Sequence, residues 1–279
     1  MKIMADLSLD SDFLNAIGSV KSLDSSGKAH PNINAIVINI NMNINITVKF
    51  RKRMFDFVTE TWNPITGCLH NCVYCWARRL ALTKLKYLPR YREGFVPRFN
   101  ESELRRSFKP NTLVFCCDMG DIFSPNVRDE WIYMVLEHIA RFPKTWFLLL
   151  TKNPERYKDF LSVMPRNVIL GATIETNNDE LHLQHRISQA PLPGKRIKAM
   201  RQLQWSFKML SIEPILDFTD RFVDEITSIN PILIYIGYDN YNNRLPEPPL
   251  RKTLSLIREL QKRGLTVREK TIRAAWFEH

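Results

Sequence analysis

Three of the chain's five cysteines, Cys68, Cys72 and Cys75, fall within eight consecutive residues. This C-x3-C-x2-C spacing limits the chain more than any other feature. Thiolates so close in sequence converge on one soft-metal centre from a single loop. Gly67 leaves the entry to that loop free of a side chain.

The set supplies three ligands. A structural zinc site or an electron-transfer iron–sulfur cluster takes four, so the missing ligand points to an open coordination position. Two other readings stand beside this one. The loop could hold zinc with His70 or a distant residue as fourth ligand, or the three cysteines could be buried for packing alone. Closely spaced thiolates rarely serve only packing, and His70 reads more readily as a loop residue than as a ligand.

With 279 residues, 44% of them hydrophobic, the chain can bury the core of one main domain of barrel size. No apolar run reaches membrane-spanning length, and Asp6, Asp10 and Asp12 interrupt any signal-like segment. The expectation is a cytoplasmic protein with no membrane partner. An odd number of cysteines, three of them clustered, also favours a reducing compartment.

The net charge of +11 is uneven. Residues 51–109 carry 13 Lys and Arg against 5 Asp and Glu, and residues 181–210 carry 6 against none. Local basic surface of this kind fits a polyanionic partner, either a nucleic acid or an acidic protein. It fits an ordinary solvated helix as well.

Residues 1–50 differ from the rest. The Asn/Ile alternation from Asn32 to Val48 is of low complexity and reads as a strand, an aggregation-prone edge or a disordered extension. From Phe55 onwards, short apolar runs alternate with amphipathic segments, the pattern of parallel strands joined by helical crossovers. Residues 51–279 therefore read as one α/β domain, a partial (β/α)6 barrel. Its strands run into Thr61 and over Thr112–Cys117, Thr145–Leu150, Val168–Ile174, Phe207–Ile212 and Ile232–Gly237. Leu265–Glu269 is either a further strand or a closing tail. Asn153-Pro154-Glu155 reads as a helix start, and Gly264 as the stop of a last helix over 250–263. Parallel barrels place their sites at the carboxyl ends of the strands. Those positions hold Asp118 and Asp121, Lys152, Thr173 and Glu175, Glu213 and Asp239.

The cysteine spacing resembles that of the radical S-adenosylmethionine (SAM) superfamily. More narrowly, Trp62-Asn63-Pro64 followed by Thr66-Gly67-Cys68 resembles an uncharacterised archaeal, bacterial and phage family of radical SAM-like proteins. The resemblance, running from about Phe55 to the C-terminus, implies a TIM-like radical SAM barrel. In such a barrel Cys68, Cys72 and Cys75 hold a 4Fe-4S cluster whose fourth iron binds SAM.

It also implies an enzyme. The reduced cluster, fed by an electron donor, cleaves SAM to a 5′-deoxyadenosyl radical that abstracts hydrogen from a substrate. By the same resemblance Tyr74 lies against the adenine. Met119-Gly120-Asp121 stands for the turn that binds the SAM amino group, with Asp118 as the other candidate acid. Thr173 or Glu175 holds the ribose, and Lys152 pairs with the SAM carboxylate. Cys116 and Cys117 are consecutive on a strand and so should face opposite ways. Cys117, taken as the interior one, becomes a candidate hydrogen-atom donor. The rival function is a non-catalytic, zinc-stabilised nucleic-acid-binding protein.

Overall fold

The computed structural model describes residues 35–40, 44–49 and 54–278. Most of the N-terminal extension lies outside them. The described part of the Asn/Ile alternation forms an antiparallel pair of strands, β1 (Ala35–Ile40) and β2 (Ile44–Lys49), with Ala35 opposite Lys49. Period-two patterning with β-branched residues accounts for the pair.

The main domain is built on a seven-stranded sheet in which every pairing is parallel. Its strands are β3 (Glu60–Trp62), β6 (Leu113–Cys116), β7 (Trp146–Thr151), β8 (Val168–Thr173), β9 (Lys208–Ile212), β10 (Leu233–Ile236) and β11 (Val267–Glu269), and they lie side by side in chain order. The expected six strands are all present, and the segment after Gly264 adds a seventh. The sheet curls into a half-barrel. Two further short strands, β4 (Ile65–Thr66) and β5 (Arg98–Phe99), pair antiparallel beside it.

Alternation along the strands separates two apolar layers. Val114, Phe147, Leu149, Leu170, Leu210 and Ile212 meet the helices in the larger core. The helices packed there include α2 (Asp129–Ala140), α4 (Pro193–Gln202), α5 (Phe222–Ile229) and α6 (Leu250–Lys262). Two shorter ones complete the set, α1 (Trp76–Leu82) after the cysteine loop and α3 (Asp179–Gln184) after β8. The other sheet face carries Phe115, Leu148, Ile169, Met209 and Tyr235, covered by Phe55, Phe57 and Val58 from the segment entering β3.

After β7 a helix starts at Pro154 as expected, with Glu155 in its first turn, but the expected cap is missing. Pro154–Val163 is a 3-10 helix, and the Asn153 side chain makes no capping bond. Its amide donates instead to the Phe123 carbonyl (2.9 Å), so the residue ties two loops together. Gly264, at φ +81°, follows the end of α6 as expected. Among the described residues no helix is long and apolar enough to cross a membrane.

Candidate metal and cofactor site

The cysteine loop is clamped before its first thiol. Gly67 has φ +85°, and a Cβ there would stand 2.0 Å from the Val96 carbonyl oxygen. No side chain fits. The Gly67 N–H donates to the Met119 carbonyl (2.9 Å) and the Cys68 N–H to that of Phe95 (2.8 Å). Gly120 packs against this same clamp, since a Cβ on it would approach the Gly67 oxygen to 2.9 Å. Its lack of a side chain therefore answers to the loop itself.

Asn63 locks the arrangement from below. Its Nδ2 donates to Asp118 Oδ1 (2.6 Å), and its Oδ1 accepts the Met119 N–H (3.0 Å). Asp118 is half-buried and Asp121 buried, so the two acids of this turn have different surroundings.

The three thiols are free, with Cys72 buried and Cys68 and Cys75 half-buried. The His70 N–H donates to Cys68 Sγ (3.4 Å), and the Arg78 N–H donates to Cys75 Sγ (3.3 Å) at the start of α1. Burial, then the neighbouring Asp121, pushes the Cys68 thiol far up from its ordinary value. Burial likewise raises Cys72 to about 11, with Lys152 acting against it. Such thiols are protonated on their own and release their protons on binding a metal. Three sulfurs on one loop, two of them already accepting backbone N–H bonds, form a donor set suited to an iron–sulfur cluster.

Two buried carboxylates organise the surroundings. Asp121 Oδ2 takes the His70 Nε2–H (3.0 Å) and the Lys152 N–H (2.9 Å), while Oδ1 takes the Thr151 hydroxyl (2.6 Å) and the Phe123 N–H (3.0 Å). Burial alone would raise its pKa, but these bonds, led by His70, outweigh burial and hold it below the usual range. One sulfur of Cys68, one His70 nitrogen and one Asp121 oxygen lie within 4.8 Å of one another.

The second carboxylate, Glu175, is fully buried at the end of β8. Its Oε2 meets Arg196 Nη1 at 2.6 Å, and its Oε1 meets Lys152 Nζ at 3.3 Å and takes the Tyr74 hydroxyl. Arg196 also donates to the Thr173 carbonyl (2.8 Å) and the Pro191 carbonyl (2.6 Å). Lys152 Nζ stands 5.2 Å from the centre of the Tyr74 ring. Burial opposes ionisation of Glu175, yet Arg196, Lys152 and the Tyr74 hydroxyl hold it well below the carboxylate range. Burial, and then Glu175, drives Tyr74 upwards.

The structure thus brings Cys72, Tyr74, Lys152, Thr173 and Glu175 to one place, and Cys68, Asp118, Gly120 and Asp121 beside it. Cys117 is not among them, and the expected opposition of Cys116 and Cys117 fails. The strand stops at Cys116, Cys117 turns to φ +63°, and both thiols enter the helix-side core with their sulfurs 3.6 Å apart.

Sequence weighed His70 only as a zinc ligand, carried Asn63 only as part of the Trp62-Asn63-Pro64 opening, and gave Arg196 no place in the site. For Arg196 a signal was present. It shares the α4 stripe of Pro193, Ala199 and Met200, all buried, while Lys195, Lys198 and Arg201 recur at a spacing of three on the exposed side.

No curated protein matches the sequence. Among solved structures, a spore photoproduct lyase variant resembles the chain with a TM-score of 0.54 at 11% identity, covering 80% of this chain and 79% of that one. A spore photoproduct lyase with bound AdoMet and dinucleoside spore photoproduct gives 0.49 at 11%, covering 77% of this chain and 63% of that one. A radical SAM methyltransferase from Sphaerobacter thermophilus gives 0.45 at 14%, covering 86% and 74%. The chain thus spans less than two thirds of the lyase in that complex. The likeness establishes the fold, a partial TIM-like barrel of radical SAM type. A family model described as a protein of unknown function, DUF5131, matches residues 52–233, well over half of the sequence, and the chain belongs to that family.

Proposed function

We propose that residues 51–279 form a radical SAM enzyme. The observation that carries the reading is the meeting of the Cys68–Cys75 loop with Tyr74, Lys152 and Glu175 at the carboxyl end of a radical SAM-type half-barrel. Cys68, Cys72 and Cys75 would hold a 4Fe-4S cluster. SAM would lie across the strand ends, where Lys152 offers a cation to its carboxylate, and Asp118, Gly120 and Asp121 form the turn near its amino group. Thr173 and Tyr74 line the ribose and adenine side, with Glu175 as the buried anchor that holds Tyr74 and Lys152 in place.

Held by Cys68, Cys72 and Cys75 and served by an electron donor, such a cluster would supply the one-electron chemistry for reductive cleavage of SAM and hydrogen abstraction. The protein's part is to orient SAM and exclude water. A reducing, cytoplasmic setting fits the free cysteines. The deciding experiment incubates anaerobically reconstituted, reduced protein with SAM and measures 5′-deoxyadenosine. Iron-loaded protein that forms none in the presence of reductant overturns the reading.

One observation favours a second reading. Cys68, His70 and Asp121 are close enough to share one ion, and Cys, His and carboxylate are all zinc ligands. Zinc would then stabilise a nucleic-acid-binding protein without catalysis. Metal analysis separates the two, since the enzyme contains iron and sulfide and the rival contains zinc.

The substrate we infer to be polyanionic. Lys195, Lys198, Arg201 and Arg186 are exposed, whereas Arg196 and Lys208 from the same acid-free run are buried. Lys208 Nζ lies 3.4 Å from the carbonyls of Met200 and Leu203, below the end of α4. The exposed four could guide a nucleic acid to the barrel mouth. Affinity for single-stranded DNA should then fall steeply with salt. Changing Lys195 and Lys198 to Glu should flatten the logarithmic slope by about 0.7 per cation lost. Absence of binding at low salt would replace the nucleic acid with a small molecule or peptide.

A further inference from the structure

We propose that Asp121 is a positioning residue of the cysteine loop: seated on the His70 ring, its carboxylate fixes the Cys68 arm and keeps a negative charge beside the Cys68 sulfur. The inference rests on the cluster reading above and adds to it which residue sets the loop's geometry and charge.

His70 is 2% exposed and is held at three points. Its ring donates to Asp121 (3.0 Å), its backbone N–H donates to Cys68 Sγ (3.4 Å), and its carbonyl accepts the Gln189 N–H (2.6 Å). Asp121 fastens this residue to the sheet, because its remaining partners are the Thr151 hydroxyl and the Lys152 N–H at the end of β7 and the Phe123 N–H in its own loop. The cysteine loop and the β7 terminus therefore share one carboxylate. Lys152 is the same residue whose side chain reaches Glu175, so moving Asp121 disturbs both halves of the site.

Charge is the second part of the argument. An acceptor of four bonds could be built from other groups, but an Asp121 oxygen lies within 4.8 Å of the Cys68 sulfur. In a buried setting a carboxylate at that range disfavours an added electron. Net charge and hydrogen bonds at the sulfurs are among the factors that set cluster potentials. Asparagine is close in shape but carries no charge. It also presents two N–H donors where Asp121 only accepts, so it cannot satisfy every donor now pointing at this position.

The test uses the full chain, reconstituted anaerobically, with three readouts: iron per chain, its rate of loss to a chelator, and the midpoint potential from an EPR-monitored titration. Asp121→Asn should lose iron faster than wild type and shift the potential in the positive direction. His70→Ala leaves the Asp121 carboxylate its Thr151, Lys152 and Phe123 donors but cuts the tie to the cysteine loop. It should lose iron faster with a smaller change in potential. An Asp121→Asn protein with wild-type iron retention and potential overturns the proposal. Should that variant fail to fold, His70→Ala decides alone, and an unchanged rate of iron loss overturns it. Wild-type protein that takes up no iron defeats the cluster reading itself, an outcome distinct from either.

Discussion

Alanine at any one of Cys68, Cys72 or Cys75 should abolish SAM cleavage and sharply reduce bound iron, while Cys116→Ala combined with Cys117→Ala leaves iron content at the wild-type level. The three loop thiols have neighbours that suit ligation. Two accept backbone N–H bonds, and the third, Cys72, lies in the field of Lys152. Losing an outer-shell partner typically costs about 10–100-fold in metal affinity, and removing a ligand from a three-thiol set should cost more. Cys116 and Cys117, by contrast, are packed among helix-side residues such as Val135 and Ile139. Truncating them leaves small voids and costs stability. Iron and sulfide analysis beside a 5′-deoxyadenosine assay checks both halves, and a single loop variant with normal iron and activity would sink the ligand assignment.

Much of the barrel was legible because its strands are short apolar runs that end in polar residues. That pattern follows from a parallel sheet buried on both faces. Six strands could be placed this way. The seventh, β11, was ambiguous because an edge strand with Arg268 and Glu269 lacks that apolar signature. The helix start at Pro154 was legible too, but not its cap: the Asn153 amide serves the Phe123 loop instead, a tertiary contact overriding the local preference.

At the site, sequence grouped the three loop cysteines and the polar strand ends, because those depend on spacing and position. What it could not give was pairing. The spacing of cations along α4 puts Arg196 on the buried side, but nothing in the order of residues names Glu175, twenty-one positions earlier, as its partner. Likewise, His70 finds its acid 51 positions later. The Cys116–Cys117 assignment failed because strand alternation holds only while the strand continues, and the left-handed Cys117 ends it.

Glu175→Gln and Arg196→Met should each destabilise the fold by about 3–5 kcal/mol, the range for breaking a buried ion pair by removing one partner. Both side chains are fully buried, so neither remaining charge can turn to water. The Glu175→Gln protein keeps Arg196 with only carbonyls and His182 as acceptors. The Arg196→Met protein leaves Glu175 its weaker cation, Lys152 at 3.3 Å, and the Tyr74 hydroxyl. Combining the changes should cost less than their sum, because the double variant leaves no orphan from the pair. The pH dependence fixes the sign. A folded pKa held below that of the unfolded chain makes Glu175 stabilising above the unfolded value near 4.3, and that contribution fades as pH falls towards the folded value. The gap between wild type and Glu175→Gln, measured by urea unfolding, should therefore be full at pH 7 and narrow on acidification below about pH 4. A gap that is small at pH 7, or that widens in acid, would show that this network does not hold Tyr74 and Lys152 against the cysteine loop.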